Sequence, residues 1–268
     1  MIGRLNTLGR KLPKAYGWRF RTADAFNAEI AEVAESATDC LPINNFYWRD
    51  QLGNWEAYAI MNALRVIDLS RSCVWALGRQ DVVCASLLSR SALETAVAFV
   101  DTSRTVNATL LGTDKEGKIA PILNPSINLR DTCVTCEELE RYSLKTVFSS
   151  RLPEADTIYN PTNIVTTITR ISKSPGQAFL VPTYGMLCEA AHPNMLGRAL
   201  YLQGSERGPT EGNELRLIGL GNGPSWPLLA ESIVAALSWA CAAQVSAFEL
   251  MAETIGTIFS RIGAFERL

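Results

Sequence analysis

The run from Pro227 to about Ile262, PLLAESIVAALSWACAAQVSAFELMAETIGTIFSRI, has proline only at its first position and no glycine before Gly256. Proline at the first helical position costs nothing, because the N–H it lacks would have no partner there. The interval from Ser232 to Phe248 carries no charge at all. A helix apolar on all sides must be enclosed by other helices or by lipid. The uncharged interval is short for a bilayer span, is rich in Ala and Ser, and is flanked by Glu231 and Glu249 where Lys or Arg would anchor a span. The expectation is therefore a central core helix and no membrane span.

Other segments supply the enclosure. Residues 22 to 39 place Ala25, Ile30, Val33 and Ala37 at near-helical spacing behind a Thr or Asp cap. Pro42, an Asn pair and Gly53 break the pattern, and a second helix runs from Asn54 to about Arg79. Asp81 reads as the cap of a third helix to about Thr109, since DVVCASLLSRSALETAVAFVDTS has no Gly or Pro. The second and third helices should form an antiparallel hairpin. Residues 112 to 132 mix Gly, Pro and charge as a surface excursion, and shorter helices are expected at about 135 to 149 and 161 to 173.

Between about 198 and 222, RALYLQG and ELRLIGLGNG flank a turn-rich loop, the pattern of a β-hairpin. GLGNG lacks the Lys-Ser/Thr of a phosphate-binding loop and reads as a strand end. The predicted fold is mainly α: a helical bundle of four long helices with shorter helices and a small β-hairpin insertion. Residues 22–268 form one domain behind a basic arm, 1–21.

That arm carries Arg4, Arg10, Lys11, Lys14, Arg19 and Arg21 without an acidic residue, interleaved with Tyr16, Trp18 and Phe20. It is a candidate contact for nucleic acid or another partner, and a solvated terminus is its plainer reading. The whole chain is formally −2, so no global positive field draws nucleic acid. The arm lacks the continuous apolar core of a secretory signal, which points to the cytoplasm. Seven cysteines, with Cys73, Cys84, Cys188 and Cys241 among apolar neighbours, fit reduced core thiols better than a disulfide framework. Cys133 and Cys136 make a lone CxxC without a second ligand pair, so neither zinc nor any other metal or cofactor is called for.

Polar residues on otherwise apolar helices define the candidate site. Arg90 and Glu94 stand four apart on one face of the third helix, among Leu87, Leu88, Leu93, Ala96 and Phe99. Burying either charge alone is expensive, so they should bridge each other or reach another helix. In YGMLCEAAHPN, Tyr184, Cys188 and His192 share a face, and Pro193 ends the helix beside the chain's only histidine. Convergence of Arg90, Glu94, Tyr184 and His192 would gather a cation, an acid, a hydroxyl and a titrating base, the parts of acid–base catalysis. The same four residues are equally accounted for as a polar network that fixes helix register. Asn62, Arg65 and Asp68 lie where they join that network or face solvent.

SRSALETAV on one long helix, YGMLCEAAHPN on a later one, a short β excursion and a final apolar helix together resemble uncharacterised bacterial helical proteins related to the HEPN superfamily, over about residues 55 to 260. The resemblance implies a four-helix core, a homodimer and, in active members, metal-independent RNA cleavage in bacterial stress or phage defence. By that resemblance His192 would act as base or acid, Arg90 would face the phosphate, and Glu94 and Tyr184 would orient or assist. Active members carry Arg and His close together on one helix, whereas Arg90 and His192 lie in separate segments. The alternative is a non-catalytic interaction module, or one that holds a small anion or nucleotide.

Overall fold

Three residues, Arg79, Gln80 and Asp81, reverse the chain between its first two described helices, α1 (Asn45–Gly78) and α2 (Val82–Leu111). Asp81 caps α2 as its sequence position suggests: its Oδ1 accepts the Cys84 backbone N–H at 3.1 Å, satisfying a donor that the helix start leaves open. Gln80 takes the left-handed conformation, φ 60°, and its N–H closes the turn on the Leu77 carbonyl.

This is a computed structural model, and it describes residues 45–111, 139, 141–150, 160–192, 202–204, 215–217 and 226–265. Among them the chain is mainly helical. After α2 come a helical segment at 141–146, α3 (Ile164–Ser172) and α4 (Leu180–Ala191), then strands β1 (Leu202–Gly204) and β2 (Leu215–Leu217), and finally α5 (Trp226–Phe265). β1 pairs antiparallel with β2, Leu202 opposite Leu217 and Gly204 opposite Leu215. The expected helix at 22–39, the excursion at 112–132, the CxxC at 133–136 and the loop between the strands lie outside the described residues.

The chain divides into two compact units. The first draws on Asn62–Val100 and Ile164–Val245. Here α1 and α2 run antiparallel: Cys73 donates its thiol to the Ala85 carbonyl, and Arg65, earlier in α1, reaches Thr95, later in α2. The core of this unit joins Val66 and Ile67 of α1, Leu93 and Val97 of α2, Ile168 and Ile171 of α3, Leu187 of α4, and Leu229 and Ile233 of α5. Ser86 and Ser89 are wholly buried, but each hydroxyl donates back to a carbonyl of its own helix, Val82 and Ser86 respectively, so neither polar group is left open. Of the four expected core thiols, Cys73 and Cys241 are buried, Cys84 and Cys188 half-buried, and all four are free. Burial pushes the Cys73 thiol up to about 12, with the nearby Cys84 adding to the effect, so it stays protonated and unreactive at neutral pH.

The second unit contains the described parts of Leu8–Met61, Asp101–Asn163 and Ser246–Leu268. Its core is built on Trp55 of α1, whose ring lies 5.9 Å from that of Tyr142 and edge-on to Tyr58, with Leu110, Phe248, Met251 and Ile258 buried as well. Asn107 of α2 donates to the Thr254 hydroxyl of α5 at 2.8 Å. The carboxyl of Glu56 is buried in this unit, and burial raises its pKa.

Two expectations are corrected. The second predicted helix begins at Asn45, nine residues before Asn54, so Gly53 lies within it. Full burial of Leu52 and Trp55 outweighs the helix penalty of one glycine, about 1 kcal/mol. The second correction concerns the membrane. Val82–Leu111 and Pro227–Ile258 are both long and apolar enough to cross a bilayer, so the expectation of no candidate span does not stand. The uncharged interval between Glu231 and Glu249 understates the helix, which continues for 16 residues beyond Glu249. Only 39% of the most apolar stretch of the later helix is buried. Core helices of soluble proteins meet the same length and composition test, so this is a capacity of the two helices and not a topology.

A Cβ on Gly53 would meet no atom within 4 Å. Gly53→Ala is therefore expected to raise the unfolding free energy by about 1 kcal/mol in a urea melt, because it removes backbone entropy from an unobstructed helical position. No gain would mean that α1 does not extend through this residue.

Candidate functional site

Arg90 lies in the third turn of α2 and Glu94 one turn later, so their side chains meet on one face, Nε to Oε1 at 3.0 Å. Tyr184 lies in the second turn of α4 and completes a closed triangle. Its hydroxyl donates to the same Glu94 Oε1 at 2.8 Å and accepts from Arg90 Nη2 at 3.4 Å. The guanidinium also stands over the tyrosine ring, 5.4 Å from its centroid. Sequence spacing alone places Arg90 beside Glu94, and the packing of α4 on α2 brings in Tyr184.

Burial differs across the cluster. Tyr184 is 8% exposed, whereas the side chains of Arg90 and Glu94 keep 26% and 31% of their surface open. Burial, followed by the hydrogen bond and negative charge of Glu94, pushes the Tyr184 hydroxyl well above the ordinary tyrosine range. It is thus a neutral donor at physiological pH. Burial works against the Arg90 charge, but the bonds to Tyr184 and Glu94 outweigh it and hold the guanidinium above its ordinary value. The tyrosine therefore stays a donor and the guanidinium stays charged.

His192 does not join them. It is the C-terminal cap of α4, exposed and with extended backbone, and its N–H donates to the Cys188 carbonyl at 3.1 Å. It stands two turns beyond Tyr184, about 12 Å along the helix axis. Pro193 lies outside the described residues. Of the second-helix residues, Arg65 turns to Thr95 and Asp68 is exposed; neither has a described bond to the cluster.

Two further polar side chains stand out, and only the second escapes a reading of the sequence. Cys188, one turn after Tyr184 on the same face, lies close enough to the tyrosine hydroxyl to add to its upward shift. Its i+4 spacing is the available signal. Gln244 of α5 is wholly buried, and neither atom of its amide has a hydrogen-bond partner among the described residues. Nothing in the apolar run around it marks that position beforehand. No three His, Cys, Asp or Glu side chains gather into a metal site among the described residues.

No protein-family model, curated protein or solved structure matches the chain. Its own geometry therefore carries the functional reading. The triangle can hold two helices in register, since it uses both neutral and charged donors on one carboxylate oxygen. His192, the titrating base expected at this site, stands at the helix end outside the triangle.

A double-mutant cycle reads the bond that crosses from α4 to α2. Tyr184→Phe and Glu94→Gln are each expected to destabilise the fold, with a coupling free energy of about 1 kcal/mol from urea unfolding. Strictly additive effects would contradict the hydrogen bond between them.

Proposed function

We propose that this chain is a non-catalytic helical interaction module on a HEPN-like four-helix scaffold, with the segment around β1 and β2 as a hairpin inserted between its helices. The observation that carries the reading is the closed Arg90–Glu94–Tyr184 triangle, with the chain's only histidine exposed at a helix end away from it. Active-site groups are normally left poised for a substrate, whereas here the carboxylate and the hydroxyl are spent on each other. The closed salt bridge also leaves little net charge for a small anion, which favours an interaction module over an anion-binding one. Exposed apolar side chains, including Leu64, Trp75, Phe179 and Leu228, supply the material of an interaction surface.

Two variants separate this reading from RNA cleavage dependent on His192. Arg90→Ala is expected to lower the unfolding free energy by about 1–3 kcal/mol, toward the smaller value because the pair is partly exposed. His192→Ala should leave the melt unchanged. Both are then incubated with total cellular RNA in the presence of EDTA. RNA cleaved by the wild type and spared by a fully folded His192→Ala variant would overturn the proposal.

A further inference from the structure

Within the first unit, α1 turns one complete face outward. Ala63, Val66, Ile67, Ser70 and Cys73 are buried, and on the opposite side Leu64, Asp68, Arg71, Trp75 and Arg79 are exposed. Steps of four, three and four residues keep Leu64, Asp68, Arg71 and Trp75 on a single stripe of α1, and Arg79, the first residue of the following turn, prolongs it over the Trp75 ring. From Leu64 to Arg79 it extends about 22 Å. Leu64 is 53% exposed and Trp75 60%, and Val74 borders the stripe at 56%. A large exposed indole is costly to leave in water, and this one has a specific companion: the Arg79 guanidinium stacks 4.0 Å from its ring centroid. Arg71 and Arg79 against Asp68 make the stripe positive, on a chain whose net charge is −2.

We infer that this stripe docks on the anionic surface of a phospholipid bilayer. The inference rests on the interaction-module reading and names its partner. Trp settles at the boundary between headgroups and acyl chains, where its ring is half apolar and its N–H remains solvated. Leu64 and Val74 enter the same boundary, while Arg71 and Arg79 extend their apolar stems along it and deliver their charge to lipid phosphates. A second copy of the chain is a poor occupant, because its own stripe carries the same excess of positive charge and a two-fold contact would bring like net charge to like. A nucleic-acid backbone would use the arginines but leave Leu64 and Val74 without apolar cover.

The test is co-flotation of the full chain with vesicles of phosphatidylcholine alone and with three-tenths phosphatidylserine. Binding is expected to the anionic vesicles, to fall with added salt, and to weaken about fivefold for each of Arg71→Gln and Arg79→Gln. Trp75→Ala should weaken it at least about tenfold, since the apolar anchor is lost. Lys173→Gln, an exposed cation off the stripe, should bind as the wild type does. Each variant is first matched to the wild type by circular dichroism melt. Equal binding to both vesicle types, no binding to either, or stripe variants that float like the wild type would overturn the bilayer assignment. None of these outcomes alters the stability of the Arg90–Glu94–Tyr184 triangle, so the interaction-module reading fails only on its own RNA and melting test.

Discussion

One carboxylate oxygen, Oε1 of Glu94, accepts from a guanidinium on its own helix and from a tyrosine hydroxyl on another. The arrangement of α2 and α4 in the first unit depends on that double acceptance. A half-buried carboxylate is expensive to hold without donors, and a nearly buried phenol is expensive without an acceptor. Each therefore fixes the other, and Arg90 keeps both from drifting by bonding to the two of them at once. An apolar contact between the same helices would tolerate sliding, whereas this triangle closes in one register only. The Asp81 cap and the short turn before it set where α2 begins, and hence where Arg90 and Glu94 fall along it.

Much of this is legible in the sequence because helices announce themselves by period. The start of α2 at Asp81 and its hairpin with α1 follow from capping chemistry and from the absence of Gly and Pro in α2, and the long final helix follows from its unbroken apolar run behind Pro227. The Arg90–Glu94 step follows from spacing alone. The bond from Tyr184 is only a conjecture at that level, because no pattern within one helix says which other helix it meets. The start of α1 is hidden for a physical reason: Gly53 looks like a break, and only the burial of Leu52 and Trp55 shows why the helix runs through it. His192 misleads in the opposite way. A lone histidine at i+8 from Tyr184 shares its face, but two helical turns are too far for contact, and a capping position needs no imidazole chemistry.

The apolar runs illustrate a second limit. Composition shows that α2 and α5 are greasy, but not what covers them. Half of the most apolar stretch of α2 is buried, and less than half of that of α5. The charge-free length between Glu231 and Glu249 therefore understates the apolar length of α5. Exposure is likewise invisible to a hydropathy plot. Val66 and Val74 are one residue type on one helix, yet the first is wholly buried and the second is mostly open. Such differences decide whether an apolar residue builds the core or an interface.

The central claim is that the Arg90–Glu94–Tyr184 triangle ties α4 to α2 as structure and not as a reaction centre. Amide hydrogen exchange of the wild type and of Glu94→Gln, compared segment by segment, tests it directly. Loss of the charged acceptor should accelerate exchange across Leu180–Ala191 by about tenfold, while amides in the second unit, around Trp55 and Met251, keep their wild-type protection. Unchanged exchange in α4 would contradict the account, because a triangle that can be opened without loosening its helix does not hold that helix in place.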